Sequence, residues 1–520
     1  MVRLSACFLL AFWISTAGAR EGKNISEAEV AELAGRAMSA FDVPGMAIGI
    51  VKGDKVLLSK GYGVREIGKP GPVDSETLFK IASNSKAFTT AALAVLVDEG
   101  VIAWDGLVID YLPEFRMHDP WVTANFTVKD LLTHRSGLAP HVGDMMLWPE
   151  PNLFTSADIL HALRYFEPVS SFRTSYAYDN LLYIVAGEII PHLSESSWGE
   201  FVEARLMRPA GMQRCFADSI PKKEMRNLAA PHGVIEGQLR VIERSRIPSR
   251  PPVSAAAGGV VCSVDAMLTW VRTQLHHGTT PAGLELFSAA QSAEMWKPQI
   301  ILGVSERDYE LNRTHFKAYG LGWRLSDVNG YREVSHTGSL AGMKSYVVML
   351  PELDLGVVLL TNGSSSAART VVMNTIVRSF MPVEPVDWLQ MMLDERAAEQ
   401  QAATLVNDER ALAAVENEAC CLPDESRFTG LYRDPWFGDV TITIEDGRLV
   451  FAALKSPKIK GVLSHHTGNR YIVRWDDRTL EADAYVQFET DGEGRVTAIS
   501  MMKLDDGDFD FEDLKLTRVE

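Results

Sequence analysis

Apolar residues along this chain fall into short runs broken by turn-forming residues, and the period of the runs changes along its length. Met46 to Val51 and Val56 to Tyr62 flank Lys52-Gly53-Asp54, which predicts a β-hairpin. Farther on, Phe88, Ala91, Ala92, Val95 and Leu96 recur at helical spacing and stop near Gly100. That pattern predicts an amphipathic helix with a glycine end. Mixed helical and loop signals then run to about Thr273. Strand signals return with Leu321 to Leu325 and Tyr331 to Val334 around Asn329-Gly330. Tyr346 to Leu350 and Val357 to Thr361 follow, around the turn from Pro351 to Gly356. Strands at both ends of a segment, with helices between, predict a chain that returns to one sheet.

The pattern changes after Pro385. Asp387 to Ala414 is rich in helix formers and free of Gly and Pro, as expected of a helical connector. From about Phe428 short strands alternate with turns: Val440 to Ile444, Leu449 to Ala453, Tyr471 to Trp475, Tyr485 to Phe488 and Val496 to Met501. This predicts a small all-β domain. The acidic run from Asp505 to Asp513 lacks the spacing of a calcium loop and reads as a solvated hairpin.

The first residues read as a targeting signal. Arg3 precedes an apolar run from Cys7 to Ile14, and Ala17-Gly18-Ala19 offers a small-residue cleavage site, so cleavage is expected after Ala19. The run is short for a membrane span, and the mature chain is expected outside the cytoplasm, periplasmic or secreted. The net charge of −17 argues against nucleic acid as the main partner, because phosphate binding needs clustered Lys and Arg. Four cysteines follow the cleavage site: Cys215, Cys262, Cys420 and Cys421. A chain of 520 residues can rely on its core, so buried or idle thiols are expected and no metal motif is read.

The chemistry centres on Ile81-Ala82-Ser83-Asn84-Ser85-Lys86, at the start of the amphipathic helix. Ser83 falls at or just inside the helix start, where backbone N–H groups and the dipole favour negative charge. Lys86 lies three positions on, on the same face. A hydroxyl is a poor nucleophile at neutral pH, and a desolvated lysine can serve as its base. Alone the spacing is weak, since a serine cap followed by a surface lysine is commonplace. Ser85 adjoins Lys86 and should point elsewhere.

Further segments give the pair its meaning. Leu131-Leu132-Thr133-His134-Arg135-Ser136-Gly137-Leu138, Tyr178-Asp179-Asn180, Ala257-Gly258-Gly259-Val260, Tyr319-Gly320-Leu321-Gly322-Trp323 and His336-Thr337-Gly338 occur in order. Together with Ser83 and Lys86 they resemble the serine β-lactamase and penicillin-binding-protein superfamily over about residues 30 to 383. The resemblance implies an α/β (α+β) fold: an antiparallel sheet flanked by helices, with an all-helical subdomain. Phe428 to Tyr432, Gly438-Asp439-Val440 and Phe509 to Val519 resemble the lipocalin-like β domain that follows many such hydrolases. The expected layout is a signal peptide at 1–19, a hydrolase domain at 24–383, a connector at 384–425 and a barrel-like β domain at 426–520.

The resemblance also implies roles. Ser83 becomes acylated, Lys86 and Tyr178 move its proton, and Asn180, His336, Gly338 and Ser339 bind substrate. The backbone amides of Ser83 and Ser339 form the oxyanion site, and neither metal nor cofactor is implied. His134 and Arg135 are expected to hold a loop, and Tyr176 is the alternative phenol if the register differs. His336 stands where many members carry lysine, and a histidine is mostly neutral near pH 7. That shifts the resemblance toward D-aminopeptidases, amidases and esterases acting on small peptide, amide or ester substrates. A β-lactamase or D-alanyl-D-alanine carboxypeptidase is the alternative, and a catalytically idle binding or assembly relative is the third. The expected partner is a small molecule or short peptide, with no stable membrane insertion after cleavage and with room for a homo-oligomer.

Overall fold

The hairpin read from the sequence forms the first two strands, β1 (Gly45–Lys52) and β2 (Lys55–Gly63), joined through Gly53 at φ +58°. They belong to a computed structural model that describes residues 24–398, 401, 424–480, 482–504 and 510–519. The expected signal segment, the connector beyond its first turns, Cys420-Cys421 and residues 505–509 of the acidic run lie outside the described residues.

Several short strands follow: β3 (Phe79–Lys80), β4 (Cys215–Phe216), β5 (His232–Ile235), β6 (Gln238–Val241) and β7 (Val261–Cys262). The main sheet resumes with β8 (Ile300–Leu302), β9 (Lys317–Tyr319), β10 (Arg324–Val328), β11 (Tyr331–Leu340), β12 (Met343–Leu350) and β13 (Leu355–Thr361). Its order is β2-β1-β13-β12-β11-β10-β9-β8, antiparallel throughout, so the chain does return to the strand it began with. The expected strand from Leu321 to Leu325 begins only at Arg324. Gly322, at φ +77°, lies between β9 and β10.

Side chains on β1 and β13 alternate between two cores. Met46, Ile48, Ile50, Val357 and Leu359 face one side of the sheet, where α1 (Glu27–Ala40) and a later helix pack. Ala47, Val51, Val358 and Leu360 face the other side, toward α2 (Ser85–Asp98) and the helical subdomain. That subdomain contains α3 (Leu181–Leu193), and α4 (Val264–Leu275) crosses the sheet beneath it. The outer layer is completed by α5 (Ser366–Ser379). With both faces covered, β13 reads as an unbroken apolar run, as central strands do. Helix α4 comes so near β1 that a Cβ on Gly49 would stand 2.7 Å from Leu268.

Two expectations need correction. Helix α2 is not amphipathic: every residue from Ser85 to Leu96 is buried, because α3, the 255–259 turn and the segments 198–207 and 289–295 pack around it. Cys215 and Cys262 are not idle thiols either. They are joined in a disulfide across the paired strands β4 and β7.

The C-terminal region is a closed barrel of eight strands. These are β14 (Gly430–Asp434), β15 (Gly438–Glu445), β16 (Arg448–Ala453), β17 (Lys460–Thr467), β18 (Arg470–Trp475), β19 (Ala484–Thr490), β20 (Val496–Lys503) and β21 (Leu516–Arg518). Phe428 stacks on Phe488 at 4.3 Å in its interior. The barrel shares a core with the first domain: Phe166 meets Trp436 edge-on at 5.1 Å, and Phe154 lies 5.7 Å from Phe437. Among the described residues no helix is long and apolar enough to cross a membrane.

Candidate active site

Ser83 sits in a single 3-10 turn, Ala82–Asn84, that leads from β3 into α2. Ala82 adopts φ +49°, a left-handed conformation that an alanine takes only when its surroundings impose it. The imposing contacts come from β11 and β12. The Ser345 hydroxyl donates to the Ile81 carbonyl at 2.6 Å and accepts from the Asn84 amide group at 2.8 Å. Gly338 lies flat against the turn, where a Cβ would stand 2.9 Å from that of Ala82 and would also collide with Ser345 and the Ile81 carbonyl. The buried Arg369 of α5 holds the Gly338 carbonyl from behind and also bonds the Ser345 carbonyl at 3.1 Å. Ser339 is the next residue on β11.

Lys86 points from the first turn of α2 back toward Ser83, and none of its surface is exposed. Its Nζ lies 3.3 Å from Ser83 Oγ, 2.7 Å from Asn180 Oδ1 and 3.0 Å from the Ala257 carbonyl. Both of those oxygens can only accept, so they take two N–H bonds and leave the lone pair of a neutral amine for the Ser83 hydroxyl. Asn180 is oriented for this by Asp144, whose two carboxylate oxygens receive its Nδ2 at 3.1 and 2.8 Å. Burial drives the Lys86 pKa down to about 7, against the upward pull of Asp144 and Asp179; Arg324 adds to the fall.

The Tyr178 hydroxyl faces Ser83, which draws its pKa down, but burial outweighs this and raises it well above the usual phenol value, so it stays protonated. Its ring is flanked by His134 at 4.2 Å and His141 at 5.4 Å, and Lys86 Nζ lies 4.8 Å from its centroid. His134 Nδ1 accepts the Asp179 N–H at 3.1 Å, and the His134 carbonyl accepts that of Ala177 at 2.8 Å. Both bonds fix the Tyr178 segment, and burial keeps the ring neutral. Arg135 is bound to the buried Asp130 at 2.9 Å. The Ser85 hydroxyl is turned away and accepts the Val260 N–H at 3.0 Å.

Ser83, Lys86, Tyr178, Asn180 and Gly338 thus meet in one place, while His336 stands behind it. His336 was expected among the substrate-binding groups, but it is fully buried and both ring nitrogens are taken. Nδ1 faces the Thr337 carbonyl at 2.7 Å and must carry the proton, so Nε2 accepts from the Tyr319 hydroxyl at 2.9 Å. Its pKa is pushed well below the ordinary value by burial and then by Arg324.

Sequence reasoning missed three groups. Arg324 on β10 donates to Thr337 Oγ1 at 2.8 Å and lies 6.0 Å from the Tyr178 ring centroid, with Tyr176 beside it. Among the described residues no carboxylate forms an ion pair with it. Its position directly after Trp323, on the strand paired with the His336 strand, was the available signal. Asp144 and His141 are the others, joined at 3.0 Å through His141 Nδ1. They lie in a loop whose composition carried no signal.

Comparison with known proteins accords with this geometry. The chain is 25% identical over 445 residues to an unguisins hydrolase of Aspergillus campestris, covering 82% of this chain and 80% of that one. It is 23% identical over 345 residues to protein flp of Staphylococcus aureus, covering 66% and 64%. The solved structure of an octameric penicillin-binding protein homologue from Pyrococcus abyssi superposes with a TM-score of 0.59 at 20% identity, covering 95% of this chain and all of that one. Residues 425–518 match a domain of unknown function, DUF3471. Residues 30–380, more than half of the chain, match the beta-lactamase family, and the chain belongs to that family as a serine hydrolase.

Proposed function

We propose that this chain is an exported acyl-serine hydrolase of small peptides, amides or esters, including those built from D-residues. One observation carries the reading: a fully buried amine, held near neutrality, 3.3 Å from the hydroxyl of a strained turn. Neutral Lys86 takes the Ser83 proton as Oγ bonds to the substrate carbonyl carbon. The oxyanion is met by the Ser83 and Ser339 backbone amides. The ammonium of Lys86, through the Tyr178 hydroxyl, returns the proton to the leaving amine or alcohol, giving the acyl-enzyme. Water then attacks the ester carbon, gives its proton to the same pair and releases the acid with Ser83 restored.

Arg324 supports a preference within that class. It is a permanent cation whose guanidinium bonds the Thr337 hydroxyl, so a carboxylate on the substrate gains a charged partner on the Tyr178 side of the site. The same observation favours a second reading, a D-alanyl-D-alanine carboxypeptidase or β-lactamase, because Arg324 offers the positive charge that a histidine at position 336 does not. Export is supported by the Cys215–Cys262 bond, since disulfides persist in oxidising compartments. A fluorophosphonate probe with mass mapping tests the reading. Labelling is expected at Ser83, and labelling elsewhere or nowhere would overturn it. Rates on D-alanyl amides, p-nitrophenyl esters and nitrocefin separate the two readings.

A further inference from the structure

The cleft wall beside Tyr178 is the segment from residue 141 to residue 155, and the barrel holds it at both ends. At the first end the Asp513 carboxylate, in the loop before β21, faces the backbone N–H of Gly143, which draws its pKa down against the larger upward push of burial. Gly143 has φ +71°, and a Cβ there would stand 2.6 Å from Leu181 and 2.8 Å from Phe166, so the backbone is pressed between α3 and the ring that meets Trp436. At the far end the Leu153 N–H donates to the Lys455 carbonyl at 2.8 Å. Lys455 also pairs with Asp158 at 2.6 Å, and Phe154 meets Phe437. Between the two grips Met145, Met146 and Leu147 are buried, and Trp148 lies over Gly258, next to the Ala257 carbonyl that Lys86 bonds.

The residues flanking Gly143 lead to the reacting atoms. The His141 N–H donates to the Tyr178 carbonyl at 2.8 Å, and its ring bonds Asp144. Asp144 receives Asn180 Nδ2, and Asn180 Oδ1 receives the Lys86 amine. We propose that the barrel is a working part of the catalytic site: by gripping this wall through Asp513 and the Phe437 face it positions Asp144, and through Asp144 and Asn180 the amine of Lys86. This assigns a task to a domain that its family description leaves without one. It rests on the hydrolase reading above.

Asp513 is therefore a positioning residue. Displacing a catalytic group by about 1 Å costs on the order of 10²-fold in rate, so a wall that loosens by that much is measurable. The charge of Asp144 also holds the Lys86 pKa up, together with Asp179 and against Arg324. An amine that loses Asp144 becomes more easily deprotonated, and the rise of rate with pH moves to lower pH.

The experiment uses the full chain with Asp513→Ala, Asp513→Asn and, at the other grip, Phe437→Ala. The readouts are the pH dependence of fluorophosphonate labelling at Ser83 and the hydrogen exchange of backbone amides. Asp513→Ala should label about 10- to 100-fold more slowly, with its pH limb moved down and exchange faster in residues 141–155. Asp513→Asn, which keeps an acceptor for Gly143, should recover most of both. If Asp513→Ala fails to fold, Phe437→Ala is read by the same criteria. Wild-type exchange in 141–155, or an unmoved limb, overturns the proposal. So does exchange raised evenly through the chain, which is loss of stability alone. Failure of the unmutated protein to label at Ser83 defeats the hydrolase reading instead, and the exchange measurement still decides whether the barrel braces the wall.

Discussion

A lysine without solvent contact is costly to keep charged, and Lys86 meets that cost by giving up its proton. Its partners suit the neutral amine, with two carbonyl-type acceptors and one hydroxyl, and its pKa lies at about 7. Because the base works only when neutral, acylation should rise with pH through about 7 and level off above it, which a pH series of probe labelling checks. The same shift acts on stability in the same direction, over a higher range of pH. The folded pKa lies below the unfolded value of 10.5, so the unfolded chain holds more protons between about 7 and 10.5, and this group's stability contribution rises with pH across that window. Ser83→Ala should abolish turnover while circular dichroism stays unchanged, and Lys86→Ala should slow acylation at least ~10²-fold. Arg324→Ala should raise KM for substrates bearing a carboxylate at least ~10-fold and leave neutral esters nearly unaffected; equal effects on both would remove the anion role. The serine and lysine were legible because their spacing falls within one helical turn and the other motifs follow in order. Arg324, His141 and Asp144 were not, because their placement comes from strand pairing and loop packing rather than from local periodicity. The burial of His336 was not legible either, because its motif says which strand it occupies but not which face its ring takes.

Among the elements, β11 decides the shape of the nucleophile turn. It presses Gly338 against Ala82, while the neighbouring β12 brings Ser345 to Ile81 and Asn84. Gly338→Ala should force the turn or the strand aside, with about 1–3 kcal/mol lost in denaturant unfolding and a larger fractional loss in Ser83 labelling. A variant with unchanged labelling would show that the turn holds itself. The hairpin β1–β2, the strands β12 and β13 and most of the barrel strands were readable from runs and turns. Helix α2 was found, but its surroundings were not: a pattern of large apolar residues on one face does not say that Ser85, Thr89 and Thr90 on the other are buried as well. Thr89 manages this by donating to the Ala256 carbonyl at 2.6 Å, a partner 167 residues away.

For the molecule as a whole, the disulfide is the feature that composition did not disclose. Cys215 and Cys262 are 47 residues apart, and spacing says nothing of whether two thiols meet. The bond ties β4 to β7, and β7 pairs with β3, the strand that delivers Ser83. Cys262→Ala should lower the unfolding free energy by about 2–4 kcal/mol, and reductant should lower the Tm of the unmutated protein but not of this variant. Equal melting with and without reductant in the unmutated chain would show that the bond does not form.

The order of the main sheet has a bearing on when the enzyme becomes competent. β13 lies between β1 and β12, so the strand that begins the domain cannot join the strand that backs Gly338 until the chain has been made to residue 361. Ser83 and Lys86 emerge early, but Asn180 and Ala257, which hold the amine, come 94 and 171 residues after Lys86, and Ser345, which braces the turn, comes 264 residues after the Ile81 it bonds. A growing chain therefore carries the reactive pair as an ordinary hydroxyl and an ordinary charged ammonium. Reactivity switches on with closure of the sheet, which makes the topology itself a safeguard against premature chemistry.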